Sequence, residues 1–455
     1  MKNVCIQGLG FVGSAMAVAV AMARDGNKPK FNVTGVELPT INGKARMDSI
    51  NKGIFPFKTS DKNLEISMER AKQQGNLKAT TDPSVYSEAR VIIVDIHLDI
   101  SFHDDEPRLD LNPLKFAIRE IARFINPETL ILIETTVPPG TCEKIIAPCL
   151  HKELKERAIK QDSVYLAHSY ERVMPGKDYL NSIINYPRVF SGINKKSADV
   201  CQDFLKEVLN TKRYPLTRLS STTASETAKV LENTYRATNI AFIDEWTKYA
   251  EAVGIDLFEI INAIRVRDTH SNIMMPGLGV GGYCLTKDPT FTPAAAREIF
   301  GLNLEFPFSK LAVKTNNLMP LHTLNRLKKN LKSQNLKGKK IIIFGVTYRQ
   351  DVKDSRYSAS EILANHIIKE GGEILCHDPY INYWDEMDLE VLEDYPDLSD
   401  FDAVVLAVGH TEYKKKEINY WHKADLLLDA NMVLSPEQIN KLKRHSGKII
   451  SIGRG

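Results

Sequence analysis

Cysteine is scarce in this 455-residue sequence, and its few copies are scattered. The six residues form no C-x-x-C pair and lie at positions 5, 142, 149, 201, 284 and 376. This spacing excludes the usual structural zinc sites and gives no sign of a disulfide framework. The net charge is also small, at +3. We therefore expect neither nucleic acid nor a membrane surface as a partner, although a slight positive excess would help to attract a phosphate-bearing substrate.

Apolar runs long enough to span a bilayer are missing as well. Residues 11–23 (FVGSAMAVAVAMA) have the composition of the apolar core of a secretory signal peptide. They follow a strand-like segment and a glycine turn, however, and no further processing pattern is present. We expect a buried helix at this position and a cytoplasmic protein with reduced thiols.

Short β-branched runs alternate with helical patterns in the first half of the chain, which is typical of a parallel α/β sheet. The predicted strands cover residues 3–7, 32–37, 91–95, 129–134, 163–167 and 189–191. From about residue 220 the strand pattern stops, and residues 222–253 form one long helical pattern without Gly or Pro. A lysine-rich stretch at residues 328–340 has the composition of a linker, and βαβ patterning resumes after it. The predicted strands there cover residues 340–344, 373–376, 403–407 and 426–429.

The predicted fold class is therefore α/β, with two Rossmann-like parallel-sheet domains joined by a helical region that has one long central helix. We expect an N-terminal dinucleotide-binding domain over residues 1–215. A central helical domain follows over residues 216–327, and a second Rossmann-like domain over residues 328–455.

A G-x-G-x-x-G motif follows the first predicted strand and opens a helix: Gly8, Leu9, Gly10, Phe11, Val12 and Gly13. Its glycines permit a tight turn, close approach of the backbone to a pyrophosphate, and packing of helix on strand. Glu37 ends the second predicted strand, where a carboxylate can bind both ribose hydroxyls. An acid there repels a 2′-phosphate, so the pattern favours NAD over NADP. The alternative is that Glu37 is only an exposed strand end.

The glycine-rich segment PGLGVGGYCLTKD, residues 276–288, is the most informative stretch of the sequence. Its glycines let the backbone fold closely around a ligand. Cys284 follows them, and a nearby cation such as Lys287 favours the reactive thiolate. A lone cysteine is more often a small buried side chain, but the glycines and the adjacent Lys287 and Asp288 favour a nucleophile. A nucleophilic thiol beside a dinucleotide site suggests oxidation of an alcohol through an aldehyde and a thioester to an acid.

Several motifs in order along the chain resemble those of the UDP-glucose/GDP-mannose dehydrogenase family. They are GLGFVG (8–13), NKGIFPF (51–57), ETTVPPGT (134–141), KVLEN (229–233), GVGGYCLTKDP (279–289) and YRQDVKDSR (348–356). The glycine-Cys-Lys-Asp motif is the most specific of them, and the others gain weight from their order. The resemblance runs nearly from end to end of the chain.

The resemblance implies catalytic roles for six residues. Cys284 would form the thioester, and Asp288 would help to activate the hydrolytic water. Lys229 and Asn233, one turn apart on the long helix, would stabilise oxyanions and position that water. Thr136 would lie beside the nicotinamide, and Glu171 would serve in acid–base chemistry.

The same resemblance implies binding roles and partners. The cofactor would be NAD, bound by the glycine motif, Glu37, Thr136 and Lys287. The substrate would be a UDP-sugar, contacted by Glu171, Arg172, Lys229, Asn233, Gly281 and Arg349. Arg356 matches a nearby arginine of the Arg349 motif. We also expect a homodimer or a larger homo-oligomer, since the central region commonly forms the dimer interface in this family.

Two departures from the family pattern concern the substrate and the cofactor loop. Members commonly carry a V-x-T-P-like segment where this chain has VDIHLDI, residues 94–100. Where the UDP-glucose branch tends to have P-E-F-L-x-E, this chain has SYERVMPGK, residues 169–177, with Pro175 in place of the second acid and with Arg172 and Lys177 nearby. That segment favours the branch that acts on N-acetylhexosamines, whereas the Lys287–Asp288 pair also suits the UDP-glucose branch.

Three functions of different classes remain open at this point. A four-electron nucleotide-sugar 6-dehydrogenase needs Cys284 and releases two NADH per sugar. A two-electron hydroxyacid dehydrogenase needs neither Cys284 nor a third domain and releases one. A non-catalytic regulator that binds NAD or a sugar nucleotide would reduce no NAD at all.

Overall fold

The computed structural model describes residues 1–103, 106–173, 176–444 and 448–455. The chain forms two compact units. The first unit contains Met1–Glu232 and Phe291–Glu305, and the second contains Asn233–Thr290 and Phe306–Gly455. Across the described residues, no helix combines the length and the apolar character that crossing a bilayer would require.

The first unit is built on an eight-stranded sheet. Its strands, from one edge to the other, are Leu216–Arg218, Arg188–Gly192, Tyr165–His168, Leu130–Ile133, Val91–Val94, Lys2–Gln7, Phe31–Val36 and Leu77–Thr80. Central strands such as Val91–Val94 and Leu130–Ile133 are buried along their whole length. Continuous apolar runs suit a sheet that is covered on both faces, which explains why these strands were recognisable in the sequence.

One pairing in this sheet differs from the expected parallel pattern, because Tyr165–His168 and Arg188–Gly192 pair antiparallel. A parallel return needs a crossover element, usually a helix that packs along the sheet. The described part of the connection holds only the six-residue helix Tyr179–Ile184. So short a helix does not carry the chain back to the edge where the previous strand began. The edge strand Leu77–Thr80 was also absent from the sequence prediction.

Helices cover both faces of this sheet. They are Phe11–Ala21, Ile41–Asn51, Lys62–Gln73, Asn112–Phe124, Ala147–Glu156, Tyr179–Ile184 and Lys195–Val208, with Phe291–Glu298 added from later in the chain. In Phe11–Ala21 every residue from Gly13 onward is buried. This confirms the expected buried helix at the segment that looked like a signal peptide.

The second unit is built on a five-stranded sheet in which every pairing is parallel. Its strand order is Glu373–His377, Lys340–Phe344, Ala403–Leu406, Leu426–Asp429 and Lys448–Ser451. The helices of this sheet are Ala359–Lys369, Thr411–Lys415, Ile418–Trp421 and Pro436–Lys443. The last strand is the one that the sequence analysis did not predict. A largely parallel sheet in the first unit and a fully parallel sheet in the second thus confirm the predicted fold class.

The long helix has the predicted bounds, Thr222–Val253. Gly254 ends it in a left-handed conformation with φ +81°, which a glycine adopts without the strain of a Cβ. The division between the two units falls inside this helix, after Glu232. The helices Leu257–Arg265 and Pro307–Asn330 belong to the second unit.

Candidate functional site

The glycine motif forms a tight turn between the first strand and the first helix. Gly8 has φ +90°, and a Cβ at this position would overlap the carbonyl oxygen of Asp95. A Cβ at Gly13 would overlap the carbonyl oxygen of Gly8. Gly10 is the N-cap and contributes no side chain, so the N-terminus of the helix that begins with Phe11 and Val12 is open to a diphosphate. This geometry fits a dinucleotide.

Glu37 is buried at the end of the strand Phe31–Val36 and is not an exposed strand end. Its Oε1 accepts hydrogen bonds from Leu9 N at 2.9 Å and from Arg46 Nε at 2.8 Å. Because Leu9 lies within the glycine motif, the carboxylate fixes the turn. Arg46 was not recognisable in the sequence, because its role depends on this contact.

Thr136 is half-buried just beyond the strand Leu130–Ile133. Its neighbour Thr135 ties this segment to the divergent 94–100 loop. Thr135 Oγ1 accepts a hydrogen bond from Ile96 N at 2.9 Å. The loop that departs from the family motif is therefore still anchored next to Thr136.

Lys229 and Glu171 meet in the first unit. Lys229 Nζ donates a 2.8 Å hydrogen bond to the carbonyl oxygen of Glu171 and lies 3.5 Å from its carboxylate. The same ammonium lies 5.3 Å from the centre of the Tyr170 ring. Contacts with the Glu171 carbonyl, the Glu171 carboxylate and the Tyr170 ring thus fix the position of the Lys229 ammonium. A fixed positive charge suits a group that stabilises negative charge.

The Arg172 side chain binds other groups of the protein. Its guanidinium pairs with the carboxylate of Glu232 and donates a 2.9 Å hydrogen bond to the carbonyl oxygen of Pro187. Tyr170 OH also donates to Glu232, at 3.2 Å. Tyr170 and Glu232 lie within the segments SYERVMPGK and KVLEN, but the sequence analysis assigned them no role, because the contact between them joins residues distant in the chain. Pro175 lies outside the described residues, and Lys177 is exposed.

Acidic groups are buried where the central strands of the first sheet end. Glu134 and Arg188 form a fully buried ion pair. Burial, followed by the charge of Glu134, raises the pKa of Asp95 well above its ordinary range. Burial, together with the charge of Lys229, lowers the pKa of His168 to about 3. His168 is therefore neutral at physiological pH, and burial favours the protonated form of Asp95.

In the second unit, Cys284 is exposed on the glycine-rich loop. Its carbonyl oxygen accepts a hydrogen bond from Asp288 N at 2.9 Å, which folds the following residues back into a turn. Asp288 is fully buried and accepts from Asn233 Nδ2 at 2.7 Å and from Lys287 Nζ at 3.0 Å. The long helix and the cysteine loop are joined through this carboxylate.

The glycines of this loop are packed against the C-terminal sheet domain. Gly282 has φ +83° and donates from its backbone N to the carbonyl oxygen of Tyr357 at 3.1 Å. A Cβ on Gly281 would lie 2.8 Å from the same oxygen, and a Cβ on Gly282 would lie 2.8 Å from the ring of Tyr348. Burial, followed by Asp354, raises the pKa of Tyr348 to about 12, so its hydroxyl stays protonated.

The two arginines of the YRQDVKDSR motif differ in their surroundings. Arg356 pairs with Asp354 through two contacts, Nε to Oδ1 at 2.9 Å and Nη2 to Oδ2 at 2.8 Å. Of the two, only Arg349 is exposed, and its substrate-binding role stays a prediction.

A dinucleotide turn with its carboxylate, together with a separate cysteine-bearing glycine loop, defines an NAD-dependent oxidoreductase. Three domain models match the chain: the NAD binding domain over residues 2–211, the central domain over 223–318 and the UDP binding domain over 342–436. The chain belongs to the UDP-glucose/GDP-mannose dehydrogenase family, whose members are nucleotide-sugar dehydrogenases. The resemblance noted in the sequence and the prediction of NAD are both confirmed.

Three similar proteins are named for N-acetylated sugars or their acids. The chain is 33% identical over 451 residues to the UDP-N-acetyl-D-mannosamine dehydrogenase of Methanocaldococcus jannaschii, covering 96% of this chain and 93% of that protein. The solved structure of the UDP-D-ManNAc dehydrogenase of Pyrococcus horikoshii has a TM-score of 0.84, at 25% identity and full coverage of both chains. An NDP-N-acetyl-D-galactosaminuronic acid dehydrogenase structure from Methanosarcina mazei has a TM-score of 0.79, at 27% identity, covering 100% of this chain and 95% of that one.

Proposed function

We propose that this protein oxidises the C6 hydroxyl of UDP-N-acetyl-D-mannosamine to the carboxylate in two NAD-dependent steps, with Cys284 as the covalent nucleophile. The observation that carries the chemistry is an exposed Cys284 beside a buried Asp288, which Asn233 and Lys287 hold in place. The near full-length relatives that are named for N-acetylated sugars support the substrate.

The glycine turn and Glu37 fit NAD, since Gly8 and Gly13 permit the tight strand–helix turn of a dinucleotide site, in which a Cβ at either position would overlap a backbone carbonyl oxygen. Bound NAD would accept one hydride in each oxidation. The remaining chemistry belongs to side chains. The thiolate of Cys284 adds to the C6 aldehyde and forms a thiohemiacetal, and loss of the second hydride gives a thioester. Water then cleaves the thioester, which releases the acid and regenerates the thiol.

Three side chains have proposed roles around the sulfur chemistry. Lys229 stabilises negative charge on the reacting oxygen, since its ammonium is already fixed by the Glu171 carbonyl. Asp288 receives the proton of the hydrolytic water, and Asn233 orients that carboxylate. Thr136, Glu171, Gly281 and Arg349 are proposed to contact the substrate or the nicotinamide.

The decisive experiment counts NADH released per sugar, with each UDP-sugar limiting and NAD in excess. Two NADH from UDP-N-acetyl-D-mannosamine support the proposal, and two from UDP-glucose instead would move the substrate to the other branch. One NADH per sugar would mean a two-electron dehydrogenase. If no nucleotide sugar released NADH, the protein would instead be a non-catalytic binding protein.

Replacing the nucleophile separates the two oxidations. Cys284→Ala should abolish formation of the acid, while a slow release of one NADH per sugar survives. Cys149→Ala is the matched control, because Cys149 is the half-buried thiol of the helix Ala147–Glu156 and should leave two NADH per sugar. An undiminished yield of acid from Cys284→Ala would refute the covalent role.

We further propose a homodimer formed through the long helix. Within the second unit its exposed side chains include Tyr235, Phe242, Trp246, Tyr249 and Val253. The Trp246 ring lies 6.2 Å from that of Phe242 and 5.9 Å from that of Tyr249, in edge contacts. So continuous an apolar face at helical spacing marks an interaction site, and a second copy of the same helix matches it in length and chemistry. A cytoplasmic location fits six cysteines that form no disulfide.

A further inference from the structure

Glu226 is a fully buried acid in the second turn of the long helix, and the chemistry above leaves it without a role. Its carboxylate accepts two backbone hydrogen bonds from one turn of the first unit. Oε2 accepts from Gly140 N at 2.6 Å, and Oε1 accepts from Cys142 N at 2.8 Å. Both oxygens are therefore committed to the turn that follows Thr136.

The turn itself is tightly constrained. Gly140 has φ +87°, and a Cβ there would lie 2.5 Å from the ring of Phe300. Thr141 Oγ1 donates to the carbonyl oxygen of Pro138 at 2.6 Å. A π-helical segment, Cys142–Ile146, follows directly, and such segments are rare and frequent at functional sites. Without Glu226, two buried backbone N–H groups would lose their acceptor, which is costly.

The neighbours of Glu226 on the helix bind other strand ends of the same sheet. Ser225 Oγ is 2.7 Å from His168 Nδ1 and 2.6 Å from Ser191 Oγ. Three residues after Glu226, Lys229 reaches the carbonyl oxygen of Glu171. The helix that carries Lys229 is thus fixed to the sheet at adjacent points, and Glu226 makes the link to the segment that carries Thr136.

We propose that Glu226 is a positioning residue that sets Thr136 in place relative to Lys229 by holding the 138–142 turn on the long helix. This proposal rests on the proposed function, in which Thr136 lies beside the nicotinamide and Lys229 beside the reacting oxygen. Loss of the carboxylate displaces Thr136 and makes hydride transfer slower.

Burial raises the pKa of Glu226 to about 7, against the opposing hydrogen bonds from Cys142 and Gly140, and the nearby Glu143 raises it further. An ionised carboxylate accepts from both N–H groups, whereas a protonated one presents an O–H donor to one of them. The geometry of the turn therefore corresponds to the ionised form.

The test compares Glu226→Gln with wild type in the full-length protein. Glutamine has the same shape but only one acceptor oxygen. We expect kcat to fall at least tenfold, KM for the UDP-sugar to change less than threefold, and the deuterium isotope effect on kcat with a C6-deuterated sugar to rise. Glu156→Gln, at the exposed end of the helix Ala147–Glu156, should match wild type.

A merely structural role predicts something else: kcat would fall in proportion to the fraction of folded protein, and the isotope effect would not change. That result would overturn the proposal. If Glu226→Gln fails to fold, kcat, KM and the isotope effect are measured for Glu226→Asp instead, with the same expected results. The shorter aspartate carboxylate reaches only one of the two N–H groups.

A second measurement keeps this proposal separate from the proposed function. NAD binding, followed by fluorescence titration, needs no sugar. We expect Kd for NAD to rise about fivefold in Glu226→Gln and to stay unchanged in Glu156→Gln. If wild type oxidised no UDP-sugar, the proposed function would fail, and an unchanged Kd in Glu226→Gln would then overturn the role of Glu226 independently.

Discussion

Asn233 donates a 2.7 Å hydrogen bond from Nδ2 to Oδ2 of Asp288, and this bond joins the long helix to the loop of the nucleophile. Lys287 occupies the other oxygen of the same carboxylate at 3.0 Å. A buried acid with two donors is held in one orientation. The relationship leads directly to a prediction for the hydrolytic step.

Asp288→Asn should stall the reaction at the thioester. The amide cannot take up the proton of the water, and its own N–H groups oppose at least one of the two donors. We expect acid formation to slow by about 10²-fold, and intact-mass analysis should show the sugar nucleotide attached to Cys284. Asp402→Asn, in the partly exposed pair with Lys339, is the control. Absence of an adduct together with normal turnover would contradict the role of Asp288.

Lys229→Ala should reduce kcat by about 10²–10³-fold, since one fixed donor to a developing oxyanion is lost. The control is Lys206→Ala, an exposed lysine on the helix Lys195–Val208 of the same unit, which should behave as wild type. Steady-state kinetics with saturating NAD would measure both variants. A kcat within twofold of wild type for Lys229→Ala would argue against charge stabilisation by this residue.

Glu37→Ser should shift the cofactor preference toward NADP. The substitution removes the carboxylate that repels a 2′-phosphate and leaves Arg46, now 2.8 Å from Glu37, able to pair with that phosphate. We expect the ratio of kcat/KM for NAD to that for NADP to fall by at least tenfold. Glu65→Ser, at an exposed acid of the helix Lys62–Gln73, should leave the ratio unchanged, and an unchanged ratio in Glu37→Ser would refute the ribose role.

The pH dependence of the free energy of unfolding should reveal the raised pKa of Glu226. Because its pKa rises from an ordinary 4.5 to about 7 in the folded protein, the folded chain keeps a proton that the unfolded chain loses between those values. The free energy of unfolding therefore falls across this window by on the order of 3 kcal/mol and is flat above it. His168, with its pKa lowered to about 3 by burial and by Lys229, acts in the opposite direction.

Comparison with Glu226→Gln isolates the contribution of Glu226 to the pH dependence of the free energy of unfolding, since the contribution of His168 is common to both proteins. Urea unfolding from pH 4.5 to 7.5 should show the variant gaining stability relative to wild type as the pH rises. A constant difference, or one that runs the other way, would mean that Glu226 is ionised throughout.

Trp246→Glu should convert the proposed dimer to a monomer. A charge in the middle of the aromatic face of the long helix cannot be desolvated against a second copy of itself. Light scattering coupled to gel filtration measures the mass directly. Phe116→Glu, at an exposed aromatic of the helix Asn112–Phe124, should leave the dimer intact. A dimeric Trp246→Glu protein would place the interface elsewhere.

Most of the fold could be predicted from local patterns in the sequence. The bounds of Thr222–Val253 were predictable because the segment lacks Gly and Pro and stops at Gly254, and the buried strands were visible as continuous apolar runs. The strand Arg188–Gly192 was also predicted, as residues 189–191, but its antiparallel direction was not. Direction depends on the path of the connection and not on the strand's own residues.

The residues of the candidate site also fall into those that local sequence reveals and those that it does not. Cys284, Asp288 and the glycine motif were found because their chemistry and spacing are local in the sequence. Glu226, Tyr170 and Glu232 were missed, since their hydrogen bonds join residues far apart in the chain, and a single glutamate or tyrosine in a helix or loop looks ordinary before folding brings its partner near.

The contact of Gly282 with Tyr357 and Tyr348 has a consequence for biosynthesis. Both tyrosines are translated well after the cysteine loop, and domains fold as they emerge from the ribosome. A nascent chain that has completed its dinucleotide domain therefore still lacks the surface that shapes the loop of Cys284. The loop of Cys284 reaches its final backbone conformation only when the last domain is made. We therefore expect a prematurely terminated chain to carry every proposed catalytic residue and yet to produce no acid.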